Sequence, residues 1–182
     1  MSRSSVGQPE VMQLPGSCLL SDPVTVGDRL DLRWVQREEI VSIEDTKFVS
    51  ISKPGNFHGL ALWFDVSFEP PMYGEETDIP FKPIELKTGP RDPETHWKQT
   101  VLVVMENFGQ AELEEDEIIG WKLVMAQTES NRRQYSLSLE VLDPETDQHP
   151  VPCHCHMARC ELVAALMERE DRMMEDLEEI NS

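Results

Sequence analysis

Two places in this chain carry residues whose types and spacing suit chemistry. The first is Cys153-His154-Cys155-His156, followed by Cys160. Thiolates and imidazoles crowded together can hold a tetrahedral metal, zinc above all. The spacing is not a C-x2-C pair, and adjacent residues of an extended chain point to opposite sides. The stretch therefore reads as an incidental tail segment with no metal assigned, and Cys153, Cys155 and Cys160 are the thiolates to consider if one is held. The second place is His96, set between Thr95 and Trp97. A solitary histidine reads as a core or surface residue until its neighbours say otherwise. The acidic run Glu112, Glu114, Glu115 and Glu117 reads as a solvated turn.

Composition narrows the classes of function. The 182 residues carry a formal net charge of -19. Nucleic acid is an unsuitable partner, because binding it needs clustered Lys and Arg. An Arg-rich segment or a histone-like tail suits such a field, and simple solubility also accounts for it. No apolar run is long enough to span a bilayer. Met1 to Gly16 lacks the apolar stretch of a signal peptide. The expected location is cytoplasmic, nuclear or both, where the four cysteines are thiols or metal ligands and not a disulfide framework.

The elements that must position these residues read mostly as strands. Leu30, Leu32 and Trp34 alternate with charged residues, and Phe48 to Ser52 is a second candidate. Leu60, Leu62, Phe64, Val66 and Phe68 share one face at period two, which predicts one long strand. The prolines between Glu69 and Pro83 make that stretch a loop. Thr100 to Met105 is a continuous apolar run. Ile119, Trp121, Leu123 and Met125 alternate, as do Tyr135, Leu137, Leu139 and Val141, with Asn131-Arg132-Arg133 as the hairpin loop between them. Trp63 and Trp121 belong to the expected core. From Ala158 to Ile180, Leu162, Leu166, Met173, Leu177 and Ile180 recur at helical spacing, on a helix with eight acids and three arginines. That helix either packs on the flank of the strands or offers its Leu- and Met-rich stripe to a partner. The fold class is mostly β: a barrel or sandwich of short antiparallel strands with a C-terminal amphipathic helix. The expected organisation is a disordered leader over 1–16, the barrel over 17–143, a linker over 144–157 and the acidic helix over 158–180.

One stretch carries a family likeness. Leu86-Lys87-Thr88-Gly89-Pro90 leads to Thr95-His96-Trp97-Lys98-Gln99 and then into an apolar strand. This resembles the T-H-W loop of the protein arginine methyltransferases. His58-Gly59-Leu60-Ala61-Leu62-Trp63-Phe64-Asp65-Val66 resembles the family's H-G-x-x-x-W-F-x-V strand, and Cys18 to Val24 its lead-in to the barrel. The resemblance implies a barrel that, in a complete enzyme, sits beside a domain binding S-adenosylmethionine, with the substrate arginine between them. It also implies a head-to-tail dimer made through a helical arm. By the same resemblance Thr95, His96 and Trp97 are the catalytic-loop residues: His96 approaches carboxylates of the other domain, and Trp97 shapes the arginine pocket.

The departures define the rest of the expectation. The chain holds no G-x-G-x-G cluster for a methyl donor, and nothing in it matches the family's double-glutamate hairpin. No cofactor-binding residue is assigned and no cofactor is expected for this chain alone. The reading is a barrel that does not transfer methyl groups by itself. Its rival is a non-catalytic module that binds Arg-rich proteins or a full-length methyltransferase. A ligand-binding β-sandwich unrelated to methylation is the third class.

Overall fold

A computed structural model describes residues 8–68, 83–104, 112–153 and 155–180. Among these residues ten strands and two α-helices follow in chain order, besides a 3-10 turn at Gly16–Cys18: β1 Glu10–Met12, α1 Arg37–Val41, β2 Ser42–Ser50, β3 Gly55–Asn56, β4 Gly59–Leu62, β5 Asp65–Phe68, β6 Ile84–Lys87, β7 Gln99–Val103, β8 Glu112–Leu113, β9 Ile118–Gln127, β10 Tyr135–Leu142 and α2 Ala158–Ile180. Every strand pairing is antiparallel. The strands form two three-stranded sheets, β1-β7-β4 and β10-β9-β2, and two ribbons, β3-β8 and β5-β6. Among the described residues no helix is long and apolar enough to cross a membrane.

The alternation at Ile119, Trp121, Leu123 and Met125 produces the central strand, β9. Trp121 and Leu123 are buried against Leu139 of β10 and Leu102 of β7. Leu60 and Leu62 of β4 close over the same cluster, so the two larger sheets meet through it. Each fully buried aliphatic side chain here contributes about 1.5–3 kcal/mol. The β9-β10 hairpin closes where expected, with the Thr128 N–H donating to the Gln134 carbonyl and the Gln134 N–H to that of Asn131.

Three expectations are corrected. The stretch Leu30 to Trp34 is a turn and not a strand, and Leu32 and Trp34 are each 73% exposed. The Asp31 carboxylate accepts the Arg33 N–H at 3.0 Å, and the Asp31 carbonyl accepts from Trp34 and Val35. This local bonding outcompetes a ladder. The long strand at Leu60–Phe68 breaks at Trp63 and Phe64. There the Thr88 hydroxyl donates to the Phe64 carbonyl at 2.6 Å, and the Asp65 carboxylate accepts the Thr88 N–H at 3.0 Å. The two halves therefore pair with different strands, β7 and β6. Within the supposed leader, residues 10–12 pair with β7. Of the two readings left open for α2, the exposure of Leu162, Val163, Leu166, Met173 and Met174 favours the one in which the described part of the stripe is not packed on the strands. Trp63 is half-buried, in contrast to Trp121. The proline-rich loop expected over 69–83 lies outside the described residues except for Pro83, as do residues 1–7, Met105 and His154.

Two glycines make close backbone approaches possible. Gly59 has φ +152°, and a Cβ there would collide with the Leu102 carbonyl oxygen. Gly120 lies opposite Phe48, whose ring covers the space that a Cβ at residue 120 would take. Phe48 can therefore lie flat on the sheet edge and present its other face to the chain beyond β10.

Candidate functional site

The loop carrying Thr95, His96 and Trp97 is tied at its base. Gln99 is almost wholly buried at the start of β7. Its amide nitrogen donates to the Thr88 carbonyl at 2.8 Å, and its amide oxygen accepts the Leu14 N–H at 2.8 Å. The Thr88 hydroxyl is in turn fixed to Phe64. Thr88 and Gln99, eleven residues apart, thus close a ring from which the loop projects. Within it the Asp92 N–H donates to the Gly89 carbonyl. Arg91 pairs with Asp22 at 2.9 Å, an exposed contact that adds little.

At the tip the three residues stand together. The Thr95 hydroxyl donates to the Trp97 carbonyl at 2.8 Å. The His96 and Trp97 rings lie 4.0 Å apart, and Phe64 meets the Trp97 ring edge-on at 6.0 Å. His96 is exposed, and Trp97 is 43% exposed. The ion pairs of the described residues do not include His96. The geometry is a preformed imidazole–indole platform open to a partner surface, able to offer a charge-assisted bond and an aromatic wall.

The cysteines converge elsewhere. Cys153, Cys155 and Cys160 are all buried, while Cys18 is exposed. Between β10 and α2 the chain forms a closed turn: the Asp143 carboxylate accepts the Glu145 N–H, and the Asp147 carboxylate accepts the Asp143 N–H, each at 2.8 Å. The Glu145 N–H, and after it the hydroxyl and N–H of Thr146, hold the Asp143 carboxyl below the usual carboxylate range. The turn delivers His149 onto Phe48, with ring centroids 3.5 Å apart and planes 10° apart. His149 Nδ1 lies 3.4 Å from Sγ of Cys153, 3.4 Å from that of Cys155 and 3.2 Å from that of Cys160. Phe48, Ile118, Leu142 and Met157 pack around the thiols. Burial pushes the Cys153 thiol up to about 12 and raises that of Cys160 as well. An open cleft of about 670 Å³, lined in part by Asp116, Glu117, Glu145 and His156, reaches Cys155.

Sequence reasoning singled out three members of this cluster and missed the fourth, His149. The signal lay in the spacing His149-x3-Cys153-x-Cys155-x4-Cys160. Cys153 and Cys155, two residues apart, share a side of the chain. His156 adopts a left-handed φ of +65°, and Cys160 follows in the first turn of α2. His156 itself points away, exposed and 3.8 Å from Glu161.

Comparison with known proteins places the strand region. The model of the arginine methyltransferase oligomerization subdomain matches residues 1–142. Human protein arginine N-methyltransferase 2 is 36% identical over 90 residues, covering 50% of this chain and 19% of its own length. The probable protein arginine N-methyltransferase 6 of Arabidopsis thaliana is 26% identical over 159 residues, covering 73% of this chain and 35% of its own. A crystal structure of PRMT6 superimposes with a TM-score of 0.60 over 74% of this chain and 41% of that one, a likeness of fold at 23% identity. The chain thus spans well under half the length of these relatives. The matched region holds β1 to β10 and the Thr95-His96-Trp97 loop, whereas His149, Cys153, Cys155, Cys160 and α2 lie beyond it. Through its strand-rich region, the chain belongs to the arginine methyltransferase family.

Proposed function

We propose that this chain is the β-barrel portion of a protein arginine N-methyltransferase. It would wall the arginine side of the active site, contribute to contacts between family chains, and transfer no methyl group alone. The observation that carries this reading is the exposed His96–Trp97 platform on a loop clamped by Gln99. In the complete enzyme S-adenosylmethionine supplies an electrophilic methyl group, held by a separate donor-binding domain. His96 then meets a carboxylate of that domain and so fixes how the two halves sit together. Trp97, backed by Phe64, gives the substrate guanidinium a flat apolar wall. In-line methyl transfer needs donor and acceptor held in one geometry, and the barrel's part is to set the acceptor side.

The test is association with a full-length arginine methyltransferase, followed by sedimentation velocity. The expected result is a saturable complex that weakens in Trp97→Ala. Independent sedimentation at every ratio counts against the reading. The net charge of -19 favours a second reading, an acidic module that recruits Arg-rich segments. That reading requires an Arg-rich peptide to bind with an affinity that falls steeply as salt is raised.

A further inference from the structure

We propose that His149, Cys153, Cys155 and Cys160 form a zinc site that pins the start of α2 to the edge of the barrel. The four ligand atoms lie within 4.8 Å of one another. In a tetrahedral site, zinc–sulfur and zinc–nitrogen bonds of about 2.3 and 2.0 Å place nitrogen and sulfur about 3.5 Å apart. The observed separations of 3.2 to 3.4 Å from His149 Nδ1 to the three sulfurs are close to that edge. A single ion fits this span, and a set of three thiolates and one imidazole is characteristic of zinc held for structure.

Plain apolar packing of thiols does not account for the arrangement. Imidazole Nδ1 has one lone pair or one proton, so it can satisfy only one of the three sulfurs that face it. A metal in the middle satisfies all four groups at once. Support around the ring points the same way. The Pro144 carbonyl oxygen lies 2.9 Å from His149 Nε2, placed to accept Nε2–H in the tautomer whose Nδ1 lone pair faces the sulfurs. The Arg159 guanidinium donates to the same oxygen and also stands 2.9 Å from Nε2, an approach that is a hydrogen bond only in the Nδ1–H tautomer and that must open when Nδ1 takes the metal. Zinc with three thiolates carries one net negative charge, which this cation offsets.

The consequence is architectural. His149 comes from the turn after β10, Cys153 and Cys155 from the following loop, and Cys160 from the first turn of α2. Phe48, lying over Gly120, is the platform beneath them. One ion would therefore fix the direction in which a helix with an otherwise exposed apolar stripe leaves the barrel. On binding, Zn²⁺ forms three bonds to sulfur and one to nitrogen, and the three thiol protons go to solvent. No change of oxidation state is involved.

The experiment is metal analysis of the reduced full chain together with titration by Co²⁺ as a spectroscopic probe. The expected result is one zinc per chain, and a cobalt complex with the strong visible bands of tetrahedral geometry and a thiolate charge-transfer band. Cys18→Ser should leave both unchanged. Cys155→Ser and His149→Ala should each abolish stoichiometric zinc at micromolar free metal. Should either variant fail to fold, the cobalt spectrum of the unaltered chain still decides. Absence of stoichiometric uptake, a spectrum without thiolate charge transfer, or uptake unchanged in both variants overturns the proposal.

Discussion

Replacing Gln99 with leucine removes the clamp beneath the Thr95-His96-Trp97 loop while keeping roughly the same volume. Two bonds go: the one to the Thr88 carbonyl, which is buried, and the one from the Leu14 N–H, which is half-buried. Leaving a buried backbone group without a partner costs about 1–3 kcal/mol, and the half-buried N–H recovers part of its bond from water. The expected loss is about 3 kcal/mol in all, since leucine offers no compensating contact at a site shaped for an amide. With a urea slope near 2 kcal/mol per molar, the unfolding midpoint should fall by about 1.5 M. Tryptophan fluorescence can follow unfolding, because Trp121 sits in the core. At low urea, amides of residues 89–98 should exchange faster than in the unaltered chain while those of β9 do not. A midpoint within about 0.3 M of the original, with loop exchange unchanged, would show that Gln99 does not hold the loop.

Three further outcomes follow from the same structure. Leu102→Ala empties the centre of the larger core, where Leu102 is wholly buried, and should cost about 2–5 kcal/mol by thermal or urea unfolding. Gly59→Ala must place a methyl group on the Leu102 carbonyl at φ +152°, so it should destabilise by at least about 2 kcal/mol, read as a lower thermal midpoint. The Asp143 carboxyl has a lowered folded pKa, so its contribution is present above the unfolded value and is lost as pH falls through the folded one. Its NMR titration midpoint should lie below the ordinary aspartate value of about 3.9, and a midpoint above that value contradicts the turn bonding.

How much of this was legible depends on where each residue's partner lies. The alternation at Ile119 to Met125 needed no distant knowledge, because a strand buried on one face writes its period into the sequence. The same pattern misled at Leu30 to Trp34, where an aspartate two residues before Arg33 captured the backbone locally. The break at Phe64 depended on Thr88, 24 positions on, and no local pattern carries that. The T-H-W triplet could be read by likeness, but its clamp could not, since Gln99 bonds to Leu14 across 85 residues. His149 stayed hidden in a stretch that reads as a linker. Its platform, Phe48, is about a hundred residues upstream and lies flat because residue 120 is glycine.

In the function proposed above, the barrel would set the acceptor side of methyl transfer and take no methyl donor itself. Calorimetric titration of the purified chain with S-adenosylmethionine, and with its demethylated product, tests this most directly. The expected result is no saturable heat for either. Tight one-to-one binding would contradict that function, and would mean that residues of the barrel build a donor pocket.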